Sequence, residues 1–523
     1  MDQAVVMWEL NNKSGAENNS TPLVAERRLH YFLLFIYLVV VFRLWIMPLG
    51  SSLWLDETVT YWNVMYGPLK SLARSTEIAG QFHLYMLIES MSVKLFGLNE
   101  IALRLPSVVA SCLSSCLIYR LAKRFSSGET GMFAAIMFVC MPEICLESSN
   151  ARPYALTILC SLCAISQLIK LHDSFRWRYV VGYVMAATLM VYMHHISAPF
   201  LFVFVMYSLI FTNGSLDHLR IYIIHISVFV LLIPLVYLVV FTGKNTSILS
   251  FAGTPGIYTL IRTIVTDLVL VILLCYYASK ISLKNEVKGL LPFYNKQIDA
   301  FLCLWFICPV LLFYAISLAT DYKLFYPRYM ILAYPALVLL LAAILQKNRL
   351  VLSRYATLII VCAFSIITIG GKERYPSLHN EDWRGALSAA KGIAVTSNIP
   401  ILFNSGYLVT FQQEWKSQTS DDWELSPLSA YQVKTRVIPL PLRLTPNAGD
   451  YLETNVLKQI LSEQSFVVVH RGQSSSVDSW VNDHVRDRGY ERLKQGYFAG
   501  VSVILYKKHR DLLAVPGRTS PYL

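Results

Sequence analysis

Charged residues are scarce in this chain, and their scarcity excludes a soluble globular protein. Of its 523 residues only 15% are Asp, Glu, Lys or Arg, whereas 55% are hydrophobic. Soluble domains carry about 25% charged residues. We therefore predict a polytopic helical membrane protein whose fold class is mainly α.

The chain also lacks cysteines in its polar C-terminal region and lacks a cluster of basic residues. A disulfide-rich or zinc-binding domain needs the first, and a nucleic-acid-binding surface needs the second. All ten cysteines precede Ile369 and lie within or at the ends of apolar segments, and they form neither a disulfide framework nor a zinc-binding pattern. The net charge of +12 comes from basic residues that are scattered between the apolar segments. Membrane topology explains such scattered charge better than binding to nucleic acid does.

Apolar segments predict about eleven transmembrane helices, several of them shorter than the roughly 20 residues that an untilted span prefers. They are His30–Met47, Arg104–Leu121, Thr130–Cys145, Tyr154–Leu171, Tyr179–His194, Ser197–Phe211, Ile221–Phe241, Thr263–Ser279, Ile298–Ala319, Tyr329–Leu345 and Leu352–Ile369. A further apolar run, Gln81 to Phe96, contains Glu89 and Lys94. If it spanned the membrane, the basic residues after Leu121 would fall outside, so we predict an amphipathic helix on the outer surface.

The Lys and Arg residues between the spans predict the orientation in the membrane. In the short connections, one side holds fourteen of them and the other side five. Basic residues are enriched on the cytoplasmic side. We therefore expect the N-terminus in the cytoplasm, and Asp56 and everything after Ile369 outside, on the periplasmic face of a bacterial inner membrane.

Composition divides the chain into four parts. Residues 1–28 are expected to form a cytoplasmic tail, 29–370 the membrane domain with a first exterior loop at 48–103, 371–510 a small exterior α/β domain, and 511–523 a C-terminal tail. In the exterior domain, charged residues return and helical patterns alternate with β-rich runs. The patterns predict helices over Asp382–Lys391, Tyr451–Glu463 and Ser479–Arg488, and strands over Ile399–Phe403, Phe466–His470 and Val501–Tyr506.

The acidic pair Asp56-Glu57 is the most informative polar feature, because it follows the first span where that span leaves the membrane. Adjacent carboxylates flanked by Trp54, Tyr61 and Trp62 suit a general base that acts on a lipid-borne substrate at the bilayer surface. A solvated loop with interfacial aromatic residues is the alternative interpretation.

Other ionisable residues gather at the same expected outer face, where charge is costly and tends to be functional. Each has a structural alternative when taken singly, such as snorkelling of an arginine or a hydrogen bond from a histidine to a carbonyl. Together, carboxylates and several cations on one face fit a site for a lipid phosphate. They are Arg43, Glu147, Arg152, His194, His195, Lys323 and Arg328.

Several motifs recur in the order found in one family of enzymes. They are Trp54-Leu55-Asp56-Glu57, Leu84-Tyr85 with Phe96-Gly97, Arg104-Leu105-Pro106-Ser107, Glu147 with Ala151-Arg152-Pro153-Tyr154-Ala155-Leu156, Pro327-Arg328-Tyr329 with Tyr334-Pro335, and Asp382-Trp383-Arg384. Through them the chain resembles the membrane glycosyltransferases of the dolichyl-phosphate-mannose protein mannosyltransferase type, which include the bacterial enzymes that add aminoarabinose to lipid A. The resemblance implies a GT-C fold, covers nearly the whole chain and is silent on substrate.

By this resemblance, the protein is expected to transfer a sugar with inversion from a polyprenyl-phosphate donor to a hydroxyl group of a lipid, glycan or protein. Asp56 is expected to take the acceptor proton, and Glu57 to orient Asp56 or to contact the sugar. Cations are expected to stabilise the leaving phosphate. The candidates for phosphate binding are Arg328, Arg152, Lys323, Arg43 and Tyr329, and the further site candidates are Tyr61, His83, Tyr85, Glu147, His194 and His195.

No cofactor is expected to be required, because these cations can neutralise the phosphate, although Glu57, Glu147 and the histidines leave a divalent metal open. Two other functions also stay open at this point. One is a flippase or transporter of lipid-linked sugars, which needs polar residues near mid-membrane. The other is a non-catalytic membrane protein of polysaccharide assembly.

Overall fold

The computed structural model describes residues 20–508, apart from 78–82, 213–214, 243–252, 268, 270, 274–275, 277–293, 349, 370–379, 408–421 and 474. Up to residue 369 the described chain is helical. The helices are α1 (Ser20–Val41), α2 (Leu55–Val64), α3 (Pro68–Glu77), α4 (His83–Phe96), α5 (Glu100–Phe125), α6 (Gly128–Cys140), α7 (Pro142–Ser148), α8 (Tyr154–Asp173), α9 (Trp177–Met193), α10 (Leu201–Phe211), α11 (Ser215–Thr242), α12 (Ile257–Ile264), α13 (Lys296–Ala319), α14 (Tyr334–Gln346) and α15 (Val351–Thr368).

Six of these helices are long and apolar enough to cross a membrane, or seven if α6 and α7 form one bent span, counted over the described residues. The predicted count of eleven is therefore not confirmed. The helices that replace the predicted spans Ser197–Phe211 and Tyr329–Leu345 are short, because each segment begins as a 3₁₀ turn, His195–Phe200 or Pro327–Met330. Of the predicted span Thr263–Ser279, residues 268, 270, 274–275 and 277–279 lie outside the described residues.

A proline explains why the predicted span Thr130–Cys145 is bent by 70°. Pro142 restricts the residue before it to extended backbone, and Met141 adopts φ −66° and ψ 118°. The helix therefore ends at Cys140 and restarts as α7 in a new direction.

The first loop contains three helices. The predicted surface helix over Gln81–Phe96 is present as α4, which begins at His83, while residues 81–82 lie outside the described part. Two more helices, α2 and α3, precede it, and α2 carries the acidic pair. The loop therefore presents Asp56 from a regular element.

The C-terminal domain is a five-stranded mixed sheet with helices. Its strands are β1 (Ile401–Asn404), β2 (Val437–Pro439), β3 (Ser465–Arg471), β4 (Tyr490–Phe498) and β5 (Val501–Lys508), in the sheet order β2-β1-β3-β5-β4. Strand β1 is parallel to β2 and β3, and β5 is antiparallel to β3 and β4. Its helices are α16 (Trp383–Ser397), α17 (Ser426–Ala430), α18 (Pro446–Tyr451), α19 (Lys458–Ile460) and α20 (Ser476–Arg486).

Each of the three predicted strands is present, but β2 and β4 were not predicted. Strand β2 has only three residues, and β4 reads YERLKQGYF, with a register shift at Gly496, so neither forms an apolar run. The predicted helix Tyr451–Glu463 is replaced by α18, a π-helical turn Leu452–Leu457 and α19.

One hydrophobic cluster joins α2 to the C-terminal domain. Leu55, Val59 and Trp62 of α2 are buried together with Trp383 of α16 and Phe403 of β1. The domain that begins after residue 370 therefore packs directly on the helix of the acidic pair.

Candidate active site

The two carboxylates of the acidic pair point in different directions. Asp56 and Glu57 lie in the first turn of α2, where consecutive side chains are about 100° apart around the helix axis. The side chain of Asp56 is 26% exposed, whereas that of Glu57 is completely buried. The pair is therefore split into one accessible carboxylate and one that solvent and substrate cannot reach.

Glu57 is fixed by a buried ion pair with Arg104. The Arg104 Nε donates to Glu57 Oε1 at 2.8 Å, and Nη2 donates to Oε2. The backbone N–H of Ala151 donates to Oε1 at 2.8 Å, and that of Trp54 to Oε2 at 3.3 Å. Because both oxygens are occupied and buried, this arrangement favours the prediction that Glu57 orients Asp56 over a contact with the sugar. The role of Glu57 stays a prediction.

The same guanidinium organises the loop that leads into α2. Arg104 Nη1 donates to the carbonyls of Leu49 at 2.9 Å and Ser51 at 2.8 Å, and Nη2 donates to the carbonyl of Ser52 at 3.1 Å. The sequence identified Arg104 as the start of a span and as part of a family motif, but predicted no role for its side chain. Its position in an apolar segment was the available signal, because a charge at membrane depth requires partners.

Asp56 is paired with Arg328, which is distant in sequence. Arg328 Nη1 donates to Asp56 Oδ2 at 2.8 Å, and the arginine side chain is 19% exposed. The guanidinium also lies over aromatic rings, 4.9 Å from the ring centre of Tyr326 and 5.8 Å from that of Trp54. These contacts fix its orientation in a half-buried position.

Three arginines act on the Asp56 carboxyl. Burial by itself raises the pKa of Asp56, but the positive charges of Arg328, Arg152 and Arg471 outweigh it and hold the pKa below its usual value. Asp56 is therefore ionised at neutral pH. Arg152 lies between α7 and α8, and Arg471 ends β3 in the C-terminal domain. Sequence reasoning missed Arg471, because a charged residue in a polar domain carries no unusual signal.

Glu147 lies beside this cluster and interacts electrostatically with Arg328, Arg152 and Asp56. Its Oε2 accepts a hydrogen bond from Asn150 Nδ2 at 2.8 Å, and Asn150 Oδ1 accepts one from the indole N–H of Trp54 at 3.0 Å. The indole can only donate, which fixes the orientation of the Asn150 amide. These two hydrogen bonds connect Trp54, the residue before α2, to the turn after α7.

Aromatic and imidazole rings form the other wall of the site. The ring centre of His194 is 5.0 Å from Tyr154 and 5.9 Å from Tyr329. His195 is next to it at 6.0 Å. A small pocket beside Arg328 is lined by Tyr154, His194 and Tyr329, together with the polar groups of Thr157 and Ser197. The predicted candidates Tyr329 and His194 therefore line the same pocket as the arginine, and His195 lies beside His194.

Comparisons with known proteins identify the fold in which this site lies. Residues 83–241 match the family described as dolichyl-phosphate-mannose-protein mannosyltransferase. Two crystal structures of ArnT from Cupriavidus metallidurans, one in the apo state and one bound to undecaprenyl phosphate, each align with a TM-score of 0.56 at 12% identity, covering 91% of this chain and 98% of that chain. This chain has a GT-C fold. The resemblance drawn from the motifs is thereby confirmed. Curated protein sequences contain no match to the chain.

Within the GT-C fold, several predicted candidates lie in other surroundings. Lys323 Nζ donates to the carbonyls of Ser317 and Thr320 at 2.9 Å each, so it caps the C-terminal end of α13. These bonds use two of the three ammonium donors, and the role of Lys323 in phosphate binding stays a prediction. Arg43 lies in a π-helical turn, Phe42–Ile46, after α1, and its role stays a prediction.

Three aromatic or imidazole candidates pack within the loop helices. Tyr61 and Tyr85 are buried in one hydrophobic cluster, and Tyr85 is completely inaccessible. His83 Nδ1 forms a hydrogen bond with Ser75 Oγ, which joins α3 to α4. These residues pack against neighbouring elements, and their contact with substrate stays a prediction.

A metal site is not assembled in the described part of the chain, where no three His, Cys, Asp or Glu side chains are grouped closely enough to hold an ion. Of the predicted ligands, Glu57 is engaged by Arg104. Glu147 and His194 remain near the arginine cluster. Whether the reaction uses a divalent metal stays a prediction.

Proposed function

We propose that the protein is an inverting glycosyltransferase that moves a sugar from a polyprenyl-phosphate donor to a hydroxyl acceptor at the outer face of the membrane. The observation that carries this proposal is the accessible Asp56 carboxylate held 2.8 Å from the Arg328 guanidinium. A base and a phosphate ligand side by side are the two groups that this transfer requires.

The proposed reaction assigns one role to each group. The acceptor oxygen attacks the anomeric carbon while the bond between that carbon and the phosphate oxygen breaks. Asp56 takes the proton of the acceptor hydroxyl. The donor leaves as a polyprenyl monophosphate, whose added negative charge is stabilised by Arg328 and Arg152.

The Nε–H group of Arg328 is available to donate a hydrogen bond to the phosphate. Its Nη1 is bonded to Asp56, while its buried Nε has no hydrogen-bond partner among the described residues. An unpartnered buried donor is costly unless a ligand uses it. A planar guanidinium can hold two phosphate oxygens at once, and this geometry favours an anionic ligand beside Asp56.

The comparisons support the same class of donor. The family that matches residues 83–241 is named for dolichyl-phosphate mannose, and one of the ArnT structures holds undecaprenyl phosphate. A lipid-linked sugar also suits the expected orientation, because nucleotide sugars are not available outside the cytoplasmic membrane.

A donor screen on purified full-length protein tests the proposal. Radiolabelled polyprenyl-phosphate sugars are presented with membrane lipid acceptors, and release of polyprenyl phosphate is measured. We expect one donor to be consumed, and Asp56→Asn to lower turnover by roughly 100-fold to 10,000-fold, the usual effect of losing a general base.

Asp173→Asn is the matched control for this screen. Asp173 pairs with Arg124 through an exposed ion pair far from Asp56, so its loss should leave turnover unchanged. Wild-type turnover in Asp56→Asn, or failure of every donor, contradicts the proposal.

A further inference from the structure

The residue before α2 offers no side-chain acceptor to the first N–H groups of the helix. The first N–H groups of a helix need acceptors from outside the helix, and Ser, Thr, Asp or Asn usually provides one from the preceding residue. Here that residue is Trp54, whose indole cannot accept a hydrogen bond. The N–H of Leu55 instead donates to Glu381 Oε2 at 3.0 Å. A carboxylate of the C-terminal domain therefore caps the helix that carries Asp56, and its charge also suits the helix dipole.

The carbonyl of Leu55 is held by the same domain. The hydroxyl of Tyr407 donates to Leu55 O at 3.0 Å, and Tyr407 is 3% exposed. This carbonyl belongs to the peptide bond that joins Leu55 to Asp56. Glu381 and Tyr407 thus form hydrogen bonds with the N–H and the carbonyl of Leu55, the residue immediately before the proposed base.

Arg471 links these two contacts. Its Nη2 pairs with Glu381 Oε1 at 2.5 Å, and its Nη1 donates to the carbonyl of Gly406 at 3.1 Å. Gly406 precedes Tyr407 and has a φ of +71°, with the Arg471 side chain packed where a Cβ would lie. The indole N–H of Trp383 also donates to Glu381 Oε2, at 3.0 Å.

We propose that Glu381 and Tyr407 are positioning residues for Asp56 and that Arg471 holds both of them in place, so that the C-terminal domain is a working part of the active site. The inference rests on the proposed role of Asp56 as the base. Arg471 has a second effect, because its charge is among those that lower the pKa of Asp56.

Arg471→Gln tests this role, with Arg492→Gln as a matched control. Both arginines lie in the C-terminal sheet and pair with a buried carboxylate. Arg471 is 31% exposed and its partner Glu381 5%, while Arg492 is 39% exposed and its partner Asp478 5%. Only the first pair touches the backbone before Asp56.

Two measurements on the full-length protein do not depend on turnover. Hydrogen exchange of the peptide that contains Leu55 should accelerate in Arg471→Gln by about 2-fold to 10-fold, the equivalent of one weakened hydrogen bond. Carbodiimide labels the protonated carboxyl, so the pH at which labelling of Asp56 is half-maximal should rise when a positive charge is removed. Arg492→Gln should match the wild type in both measurements.

Turnover supplies the third measurement. Misplacing the base should lower kcat by roughly 10-fold to 100-fold while the KM for the donor stays unchanged. Tyr407→Phe removes a single hydroxyl and should accelerate exchange and lower kcat in the same direction, without moving the labelling pH. This variant also keeps the test decisive if Arg471→Gln fails to fold.

The outcomes separate this inference from the proposed function. If Asp56→Asn abolishes transfer but Arg471→Gln and Tyr407→Phe behave like Arg492→Gln, the positioning role is wrong and the function stands. If no donor is consumed, the function is wrong, and exchange and labelling still decide whether the domain positions Asp56. Faster exchange with an unmoved labelling pH in Arg471→Gln also overturns the role given to Arg471.

Discussion

At the scale of single residues, the proposed role of Asp56 as the base imposes two opposing demands. A general base must be ionised, and the nearby arginines ensure this by lowering its pKa. The same lowering makes Asp56 a weaker proton acceptor. A donor phosphate that draws the Arg328 guanidinium towards itself relieves this conflict, because the carboxylate then loses part of its positive surroundings and becomes more basic once the substrate is bound.

This reasoning predicts different pH dependences for kcat/KM and kcat. Asp56 acts in its ionised form, so activity is lost as the pH falls through its pKa. The acid limb of kcat/KM reports the free enzyme and should lie below the ordinary pKa of aspartate, whereas the limb of kcat reports the bound enzyme and should lie at higher pH. Steady-state rates from neutral pH downwards measure both limbs, and coinciding limbs would count against the exchange of partners.

Arg328 gives the second prediction at this scale. Arg328→Ala should weaken donor affinity by roughly 1.5 to 3 kcal/mol, the value of a lost charged hydrogen bond. Arg328→Lys keeps a charge without the planar fork and should retain part of the activity. Donor binding and thermal stability in detergent are measured on both variants. Unchanged affinity with lower stability in Arg328→Ala would indicate a structural arginine and leave Arg152, Lys323 or Arg43 as the phosphate ligand.

At the scale of elements, α2 depends on partners that are remote in sequence. Arg104 of α5 holds Glu57 and the loop before α2 in a site that excludes water. Breaking a buried ion pair by removing one partner leaves an uncompensated charge, so Arg104→Leu should lower the free energy of unfolding by roughly 3 to 5 kcal/mol. Thermal unfolding in detergent measures the change.

Arg124→Leu is the control for this stability prediction. Its pair with Asp173 is about half exposed on both sides, and exposed pairs contribute only about 0 to 1 kcal/mol. The double variant Arg104→Leu with Glu57→Leu should recover part of the loss, since no buried charge remains, but the loop carbonyls stay without their donor. Equal stability of Arg104→Leu and Arg124→Leu would contradict the assignment.

The elements also show which parts of the fold the sequence can predict. Helix α16 and strands β3 and β5 were recognised because their apolar periodicity is strong, whereas three-residue β2 leaves no pattern. Within the site, Asp56, Arg152 and Arg328 stood out as charges beside apolar segments. Glu381 and Arg471 did not, because their contacts join parts of the chain that only the tertiary structure brings together. Lys323, like Arg328, is a basic residue beside an apolar segment, so the sequence predicts phosphate binding for both. Only the structure shows that the Lys323 ammonium group bonds to helix carbonyls.

At the scale of the whole molecule, the ends of the helices sort into two layers. At one end, Arg124 pairs with Asp173 and Arg354 pairs with Glu129, which brings together three connections that the charge count assigned to the cytoplasm. At the other end, the hydrogen bond from Leu55 to Glu381 requires α2 and the C-terminal domain to share one side of the membrane. The structure places the two layers at opposite ends of the helices. Which layer faces the cytoplasm is a question for experiment.

Reporter fusions decide that direction for both layers at once. With fourteen basic residues against five in the connections, we predict the α2 layer outside. A fusion after Gly371 should activate a reporter that works only outside the cytoplasm, and a fusion within Leu283 to Lys296 should activate one that works only inside. Because Glu381 contacts Leu55, the result at Gly371 applies equally to Asp56. A cytoplasmic signal at Gly371 would place Asp56 beside soluble nucleotide sugars, and the reason for a lipid-linked donor would then be lost.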